Sequence, residues 1–319
     1  MTMQAAKMSI KQPQLIEAVP KITDHCGRTN IENSQNVKHA NIFNSKDPRI
    51  SIFGSTGFIG SRFGHLYNNK VIKISRNDYE PKSKNVLYLI STTHNHNVFT
   101  NPKLDIDTNL TVLLDVLEKC KGKDIVFNFI SSSLVYGDCN LPATESTFCN
   151  PKGFYGITKK CAEDLLISYC QTFRIAYRIL RLCSVYGNSN VKEWSKKNAL
   201  HFLIEKLKKN EPIKLYFYGN FIRDYMHLND VVKAINLVIE RTPVNSITNV
   251  GSGIPCQFKY LIEEAKKLTG SQSQIDLCPP TEFHTIAQVK DLSLNVEKLT
   301  LLGFQPTITI EEGIAELCH

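Results

Sequence analysis

Three regularly spaced glycines, Gly54, Gly57 and Gly60, stand between an apolar run at residues 49–53 and a helical pattern at residues 58–67. The first glycine permits a tight turn, the second lets the backbone approach a pyrophosphate, and the third allows close helix packing. The helix N-terminus then faces the phosphate charge. A glycine-rich turn without a ligand is the alternative. The strand–turn–helix context favours a dinucleotide-binding turn, with the predicted cofactor contacts Gly54, Thr56, Gly57, Phe58, Ile59 and Gly60.

Strand and helix patterns alternate after the glycine turn. Buried β-type runs occur at residues 71–74, 85–90, 124–130 and 176–180, and helical patterns at residues 109–119 and 156–168. A further strand is expected at residues 213–217. This alternation predicts an α/β fold with a doubly wound, mostly parallel sheet of the Rossmann type. The 319 residues are enough for such a domain and a smaller C-terminal lobe.

The pattern along the chain divides it into three parts. Residues 1–48 are polar, show little periodicity, and are interpreted as an N-terminal extension. We assign the NAD(P)-binding domain to residues 49–186, together with about 222–252. Residues 187–221 and 253–319 are assigned to the smaller, substrate-binding lobe.

Charge and cysteine content narrow the class of protein. The net charge of +8 is spread over lysine-rich helix surfaces, so we expect a solvated basic surface and no nucleic-acid partner. The ten cysteines lack the spacing of a metal site or a disulfide framework, which favours a reducing, cytoplasmic setting. No apolar run approaches the length that spans a bilayer, and no membrane association is expected.

Tyr155 and Lys159 are four residues apart, so a helix would place phenol and ammonium on one face. A phenol normally has a pKa of about 10, and a neighbouring cation lowers it towards the working range. Three serines at 131–133 precede the pair by some twenty residues. Together with the glycine turn, the pair predicts a nicotinamide enzyme that moves a hydride and a proton at one carbon.

The end of the second predicted strand bears on the choice of cofactor. An acidic residue there would bind the ribose 2′-hydroxyl of NAD. Ser75 and Arg76 occupy this place, and a guanidinium can pair with the 2′-phosphate of NADP. Arg62, just after the glycine turn, could assist. NADP is therefore favoured, while NAD stays possible if Arg76 is only a surface residue.

At this point the chain resembles the extended short-chain dehydrogenase/reductase family, the NAD(P)-dependent nucleotide-sugar epimerases, dehydratases and reductases. The resemblance runs from about residue 49 to residue 316. It is carried by ordered segments, namely the glycine turn, residues 131–137 (SSSLVYG), Tyr155-x-x-x-Lys159, residues 181–187 (RLCSVYG), residues 223–230 (RDYMHLND), residues 248–253 (TNVGSG) and residues 291–304.

The resemblance implies a role for individual residues. Ser132 takes the position of the catalytic Ser/Thr, which holds the sugar oxygen beside Tyr155. Lys159 would bind the nicotinamide ribose and lower the phenol pKa. Asn198 and Arg223 match diphosphate-contacting positions of the nucleotide sugar. Arg223 could instead form a structural ion pair with Asp224 or Asp230. Asn109 matches an asparagine near the active site and could equally be a helix-packing or capping residue.

Two departures from the family pattern exclude two of the reactions that the family catalyses. The 4,6-dehydratases carry an Asp-Glu pair directly after the catalytic hydroxyl, where this chain has Ser133 and Leu134. The 3,5-epimerising reductases use a cysteine at the position of Leu134. Neither dehydration nor 3,5-epimerisation is therefore expected, and oxidation–reduction at one carbinol carbon, C4, remains.

Three functions stay open. The favoured one is NADPH-dependent reduction of a 4-keto nucleotide sugar. The second is NAD-dependent 4-epimerisation of a nucleotide sugar, and the third is a non-catalytic NADP-binding regulator on the same fold. The resemblance also implies a homodimer formed through the helix of Tyr155.

Other departures concern the edges of the site. The connection between the second and third strands is short, which predicts a sheet truncated on the adenine side, and we hypothesise that the N-terminal extension covers it. No second diphosphate-binding arginine occurs near Glu282 and His284, and Ser184 replaces an expected asparagine. His94 and His96 lack nearby ligand partners, so we expect contact with cofactor or substrate and no metal site.

Overall fold

The computed structural model describes residues 48–93, 95, 97–188 and 199–319. Within these residues the strands are β1 (Ile50–Phe53), β2 (Val71–Lys73), β3 (Asn85–Tyr88), β4 (Val126–Ser132), β5 (Ala176–Leu182), β6 (Ser184–Tyr186), β7 (Ile213–Leu215), β8 (Ile222–His227), β9 (Ser246–Val250), β10 (Pro255–Gln257) and β11 (Ile275–Leu277). The α-helices are α1 (Phe58–Leu66), α2 (Asn97–Thr100), α3 (Lys103–Ile106), α4 (Val112–Cys120), α5 (Gly153–Phe173), α6 (Ala199–Lys208), α7 (Leu228–Arg241), α8 (Phe258–Leu268), α9 (Glu282–Ala287), α10 (Glu297–Leu301) and α11 (Ile310–Cys318).

Six of the strands form a parallel sheet in the order β2-β1-β3-β4-β5-β9. Successive side chains of a strand point to opposite faces, and β3 shows the consequence. Leu87 packs in the core shared with α1 and α7, whereas Val86 and Tyr88 pack in the core shared with α4 and α5. Both faces are covered by helices, so the predicted doubly wound parallel fold is confirmed.

The sheet ends at β2 on the side of the glycine turn. β2 pairs with β1, and no described strand pairs with its outer edge. The predicted truncation of the sheet is therefore confirmed within residues 48–319. The hypothesis that the N-terminal extension covers this edge concerns residues 1–47, which lie outside the described part of the chain.

A second group of elements follows β5. β6, β8 and β10 form a three-stranded sheet, and β7 pairs with β11. Helices α6, α8 and α11 pack a separate apolar core against them. The strand expected at residues 213–217 ends early, at Leu215, because Phe217 and Tyr218 adopt left-handed backbone angles in a turn. β8 lies in the small sheet and β9 in the large one, and the exact division into lobes stays a prediction.

No helix among the described residues has the length and apolar character needed to span a membrane.

Candidate functional site

The glycine turn connects β1 to α1 at the carboxyl edge of the large sheet. Gly54 has a φ of +86°, which a side chain would strain. The Gly57 amide donates to the Gly54 carbonyl at 3.0 Å. A Cβ on Gly60 would overlap that same carbonyl. The first turn of α1 has no side-chain cap, so its amides can bind an anion. This geometry fits a pyrophosphate, as the spacing predicted.

Ser75 and Arg76 lie in the turn that follows β2, and both are exposed. The turn is closed by a hydrogen bond of 3.0 Å from the Asp78 amide to the Ser75 carbonyl. Since β2 is parallel to β1, this turn and the glycine turn share one edge of the sheet. Asp78 is the nearest acid along the chain, and its carboxylate pairs with Lys82 at 3.2 Å.

Lys159 is buried in the first half of α5, with 2% of its surface exposed. Its Nζ donates to the Ile130 carbonyl of β4 at 2.6 Å and lies 4.1 Å from the centre of the Phe129 ring. Burial lowers the pKa of Lys159 to about 7, because an ammonium ion is poorly solvated there. The ammonium therefore contacts the end of β4, the strand that also carries Ser132.

Two hydroxyl groups act on the pKa of the Tyr155 phenol. Burial raises the pKa of Tyr155, and hydrogen bonds from Ser132 and Ser91 act in the opposite direction. Lys159 does not contribute to this shift, because its Nζ is directed at the Ile130 carbonyl, and the expectation that it lowers the phenol pKa stays a prediction. The Ser132 hydroxyl thus lies near enough to the phenol to lower its pKa, whereas the Lys159 ammonium is bound to a backbone carbonyl.

The position of Ser132 is fixed by its place at the end of β4. Its Oγ also accepts a hydrogen bond of 3.2 Å from the Leu134 amide, which caps the short 3₁₀ turn Ser133–Tyr136. Ser133 and Leu134, which follow Ser132, supply no carboxyl or thiol group that could act as a second acid or base. Ser132 and Tyr155 therefore remain the predicted proton-exchanging groups at this end of β4.

Asn109 lies in a π-helical turn, Asp107–Thr111, and is almost fully buried. Its Oδ1 accepts from Ser91 Oγ at 3.0 Å and from the Thr92 amide at 2.9 Å. Its Nδ2 donates to the hydroxyls of Thr92 and Thr158, both at 2.9 Å. Asn109 therefore packs α5 against the segment after β3, and its partner Ser91 is one of the two hydroxyls that lower the pKa of Tyr155. π-Turns are frequent at functional sites.

Ser91 was missed by the sequence analysis. It follows β3 by three residues, at the carboxyl edge of the sheet where ligands of such folds bind. That location was the available signal.

Arg223 lies in β8 and binds backbone carbonyls. Its Nη2 donates to the Val289 carbonyl at 2.5 Å, its Nη1 donates to the Lys290 carbonyl, and its guanidinium stacks 4.9 Å from the Phe221 ring. The alternative ion pairs are wrong. Asp224 accepts from the amides of Ser252 and Gly253, and Asp230 accepts from residues 307 and 308 and pairs with Lys233.

Asn198, the predicted diphosphate contact, lies outside the residues that the structure describes, and so do the two loop histidines, His94 and His96. Among the residues that are described, no group of three potential metal ligands occurs. His284, in α9, stacks on Tyr216 with ring centres 4.2 Å apart.

Comparison with known proteins agrees with the family resemblance seen in the sequence. The family model "NAD dependent epimerase/dehydratase family" matches residues 80–251. A putative UDP-glucose 4-epimerase of Methanocaldococcus jannaschii is 29% identical over 237 residues, or 73% of this chain and 75% of the relative. The dTDP-4-dehydro-6-deoxyglucose reductase of Escherichia coli is 24% identical over 266 residues, or 80% of this chain and 81% of the relative.

Solved structures share the fold. The UDP-glucose 4-epimerase of Thermotoga maritima, solved with UDP-glucose, superposes with a TM-score of 0.75 at 24% identity, over 85% of this chain and 97% of the other. Other structures of the same fold contain NAD or NADPH. The chain therefore belongs to the NAD-dependent epimerase/dehydratase family, the extended short-chain dehydrogenases/reductases that act on nucleotide sugars with a nicotinamide cofactor.

Proposed function

We propose that this enzyme reduces a 4-keto nucleotide sugar, with NADPH as the reductant. The observation that carries the proposal is the Ser132–Tyr155 hydroxyl pair beside buried Lys159, with Ser133 and Leu134 in the places where a second acid/base would stand. When bound, the nicotinamide supplies the hydride. Tyr155 donates the proton to the carbonyl oxygen and Ser132 holds that oxygen, while Lys159 is fixed at the end of β4, from where it would bind the nicotinamide ribose.

The preference for NADPH rests on the turn after β2. Arg76 is exposed there, and the only acid of the turn is engaged by Lys82. We expect Arg76→Ala to weaken NADPH binding about tenfold and to change NADH binding little, since a charge-assisted hydrogen bond to phosphate would be lost. Lys214→Ala, which removes an exposed cation from β7, is the matched control. Equal effects of Arg76→Ala on both cofactors would contradict the NADPH preference.

4-Epimerisation is the second candidate, and the similarity to a putative UDP-glucose 4-epimerase favours it. In that reaction Tyr155 takes the proton during oxidation at C4 and returns it after the keto sugar has turned over. The two functions differ in their cofactor balance. A reductase consumes one reduced cofactor per product, whereas an epimerase turns over without added reduced cofactor.

A screen of nucleotide sugars and their 4-keto forms, with NADPH and NADH separately, tests the proposal. Cofactor oxidation is followed optically and the products by mass spectrometry. Tyr155→Phe should keep cofactor binding and lose at least about 10²-fold in turnover, because the proton donor is gone. Tyr169→Phe, on the same helix with its hydroxyl on Glu118, is the control. Cofactor binding without turnover of any sugar would instead support the non-catalytic regulator.

We also propose a homodimer through α4 and α5. Exposed apolar side chains of these and the preceding helix support it, namely Ile106 of α3, Leu114 of α4 and Ile157 of α5. Leu114→Asp should yield a monomer in analytical ultracentrifugation. Phe148→Asp, which changes a more exposed apolar residue elsewhere, should leave the oligomeric state unchanged. A wild-type monomer at micromolar concentration would contradict the dimer.

A further inference from the structure

The carboxamide of Asn95 joins two distant segments of the chain beside the active site. Its Oδ1 accepts a hydrogen bond of 3.0 Å from the backbone amide of Tyr155. Its Nδ2 donates a hydrogen bond of 3.0 Å to the carbonyl of Ala287, the last residue of α9. An asparagine side chain can accept and donate at once, so both contacts form together.

Asn95 supplies a cap that α5 lacks locally. The residue before the helix, Lys152, makes no side-chain capping bond, and the amide of Tyr155 is among the first four, which have no partner inside a helix. Asn95 satisfies this amide from 60 residues upstream. The first turn of α5, which carries the catalytic phenol, is therefore held by a side chain from the loop after β3.

Close packing at Gly153 gives an independent sign that these segments are docked. Gly153 is the first residue of α5 and has a φ of +68°. A Cβ at this position would overlap the Ala287 carbonyl oxygen and would lie 2.7 Å from Asn95 Oδ1. The helix start, Asn95 and the end of α9 thus approach one another more closely than any side chain at residue 153 would allow.

The segment that Asn95 holds, residues 282–290, is also held by Arg223, at its carboxyl end. The guanidinium of Arg223 donates to the carbonyls of Val289 and Lys290, two and three residues after Ala287. We name residues 282–290 the α9 strap. Phe283 of this strap also contacts Phe99 of α2, with ring centres 5.1 Å apart. The strap therefore spans the distance between the predicted diphosphate contact and the helix of Tyr155.

We propose that Asn95 is a positioning residue that couples the α9 strap to Tyr155, so that docking of the strap fixes the first turn of α5 and the location of the phenol. The proposal rests on the proposed function, because it assumes that the sugar nucleotide binds at Arg223. Binding of the diphosphate there would further restrain the strap that Arg223 already holds, and Asn95 would transmit that restraint to the catalytic helix.

Two substitutions at Asn95 separate its two bonds. Asn95→Ala removes both, whereas Asn95→Asp keeps an acceptor for the Tyr155 amide and sets a carboxylate against the Ala287 carbonyl. We expect Asn95→Ala to lower kcat about 10–100-fold, because a small displacement of a reacting group costs about that much. Asn95→Asp should mainly raise KM, since the strap is released while the helix start keeps its cap. Affinity for NADPH should stay within twofold in both.

Hydrogen exchange provides a readout that does not depend on the substrate. In Asn95→Ala, exchange should quicken at least tenfold in peptides covering residues 153–156 and residues 282–290. In Asn95→Asp it should quicken in the second peptide alone. Asn101→Ala, an exposed asparagine that bonds only within its own turn, is the control and should match wild type in both peptides.

The outcomes separate the two proposals. Unchanged exchange in both peptides of Asn95→Ala overturns the positioning role, whatever the substrate is. If Asn95→Ala does not fold, the Asn95→Asp variant decides, and equal exchange in its strap peptide overturns the role as well. Absence of turnover by the wild-type enzyme on every nucleotide sugar, with faster exchange in the variants, overturns the proposed function and leaves the coupling supported.

Discussion

Lys159 should destabilise the folded protein when no cofactor is bound, and Lys159→Met should relieve this. The ammonium has 2% of its surface exposed, and burial lowers its pKa from 10.5 to about 7. The folded pKa lies below the unfolded pKa, so the folded chain disfavours the charged form. At about 1.4 kcal/mol per pH unit, the difference corresponds to about 5 kcal/mol at pH 6.

The sign of the pH dependence follows from the same two values. Between pH 7 and pH 10.5 the unfolded chain binds more protons at Lys159 than the folded chain does. The wild-type protein therefore gains stability relative to Lys159→Met as the pH rises. At pH 9 the penalty falls to about 2 kcal/mol. Methionine gives up the hydrogen bond to Ile130 and the contact with Phe129, which offsets about 2 kcal/mol. The net gain is about 3 kcal/mol at pH 6 and near zero at pH 9.

Urea unfolding of the cofactor-free protein at pH 6, 7.5 and 9 measures this difference. The difference in unfolding free energy between Lys159→Met and the wild type cancels the contribution of every other titrating group. Lys160→Met is the control, because Lys160 lies on the same helix, is partly exposed and pairs with Asp164. A variant that is less stable than wild type at pH 6, or a difference that does not shrink with rising pH, would refute a buried ammonium as the cause.

Two further predictions concern the neighbours of this pair. Ser91→Ala should raise the pKa of Tyr155, because it removes a hydroxyl that lowers this pKa and that can turn from Asn109 towards the phenolate. The descending limb of the kcat–pH profile in the reductive direction should then move to higher pH. An unchanged limb would show that Ser91 does not act on the phenol. Glu163→Gln should destabilise the protein by about 3 kcal/mol in urea unfolding, because Glu163 forms a fully buried, two-pronged pair with Arg181 at 2.7 and 3.0 Å. The exposed Asp164→Asn on the same helix should cost less than about 1 kcal/mol, and equal losses for both would contradict the reasoning.

Local sequence patterns predicted most of the fold because they report on local geometry. The glycines at 54, 57 and 60 require the backbone angles and close approaches that the structure contains. The apolar runs became the parallel strands, and the short connection after β2 correctly predicted the truncated sheet. The strand at 213–217 was overestimated, because its β-type aromatic residues lie in a turn with left-handed backbone angles that propensity disfavours.

Contacts between remote segments could not be predicted in the same way. Ser91 and Asn95 act on Tyr155 from a loop about 60 residues away, and nothing in their local sequence distinguishes them from other polar loop residues. Arg223 was flagged by its motif, yet its bonds to the carbonyls of residues 289 and 290 depend on the tertiary course of the chain. The sequence located the reacting groups, and the structure was needed for the groups that hold them.

The four-residue spacing of Tyr155 and Lys159 now has a different physical meaning. Spacing on a helix places two side chains on one face, but burial decides which partner each of them finds. Lys159 finds the carbonyl at the end of β4, and Tyr155 finds the hydroxyls that follow β3 and β4. The pKa of the phenol in the cofactor-free enzyme is thus raised by burial and lowered by the hydroxyls that follow two neighbouring strands, while Asn95 binds the backbone amide of Tyr155. Substitutions at Ser91 and at Lys159 should consequently affect different quantities, the first the pH profile of turnover and the second the pH dependence of stability.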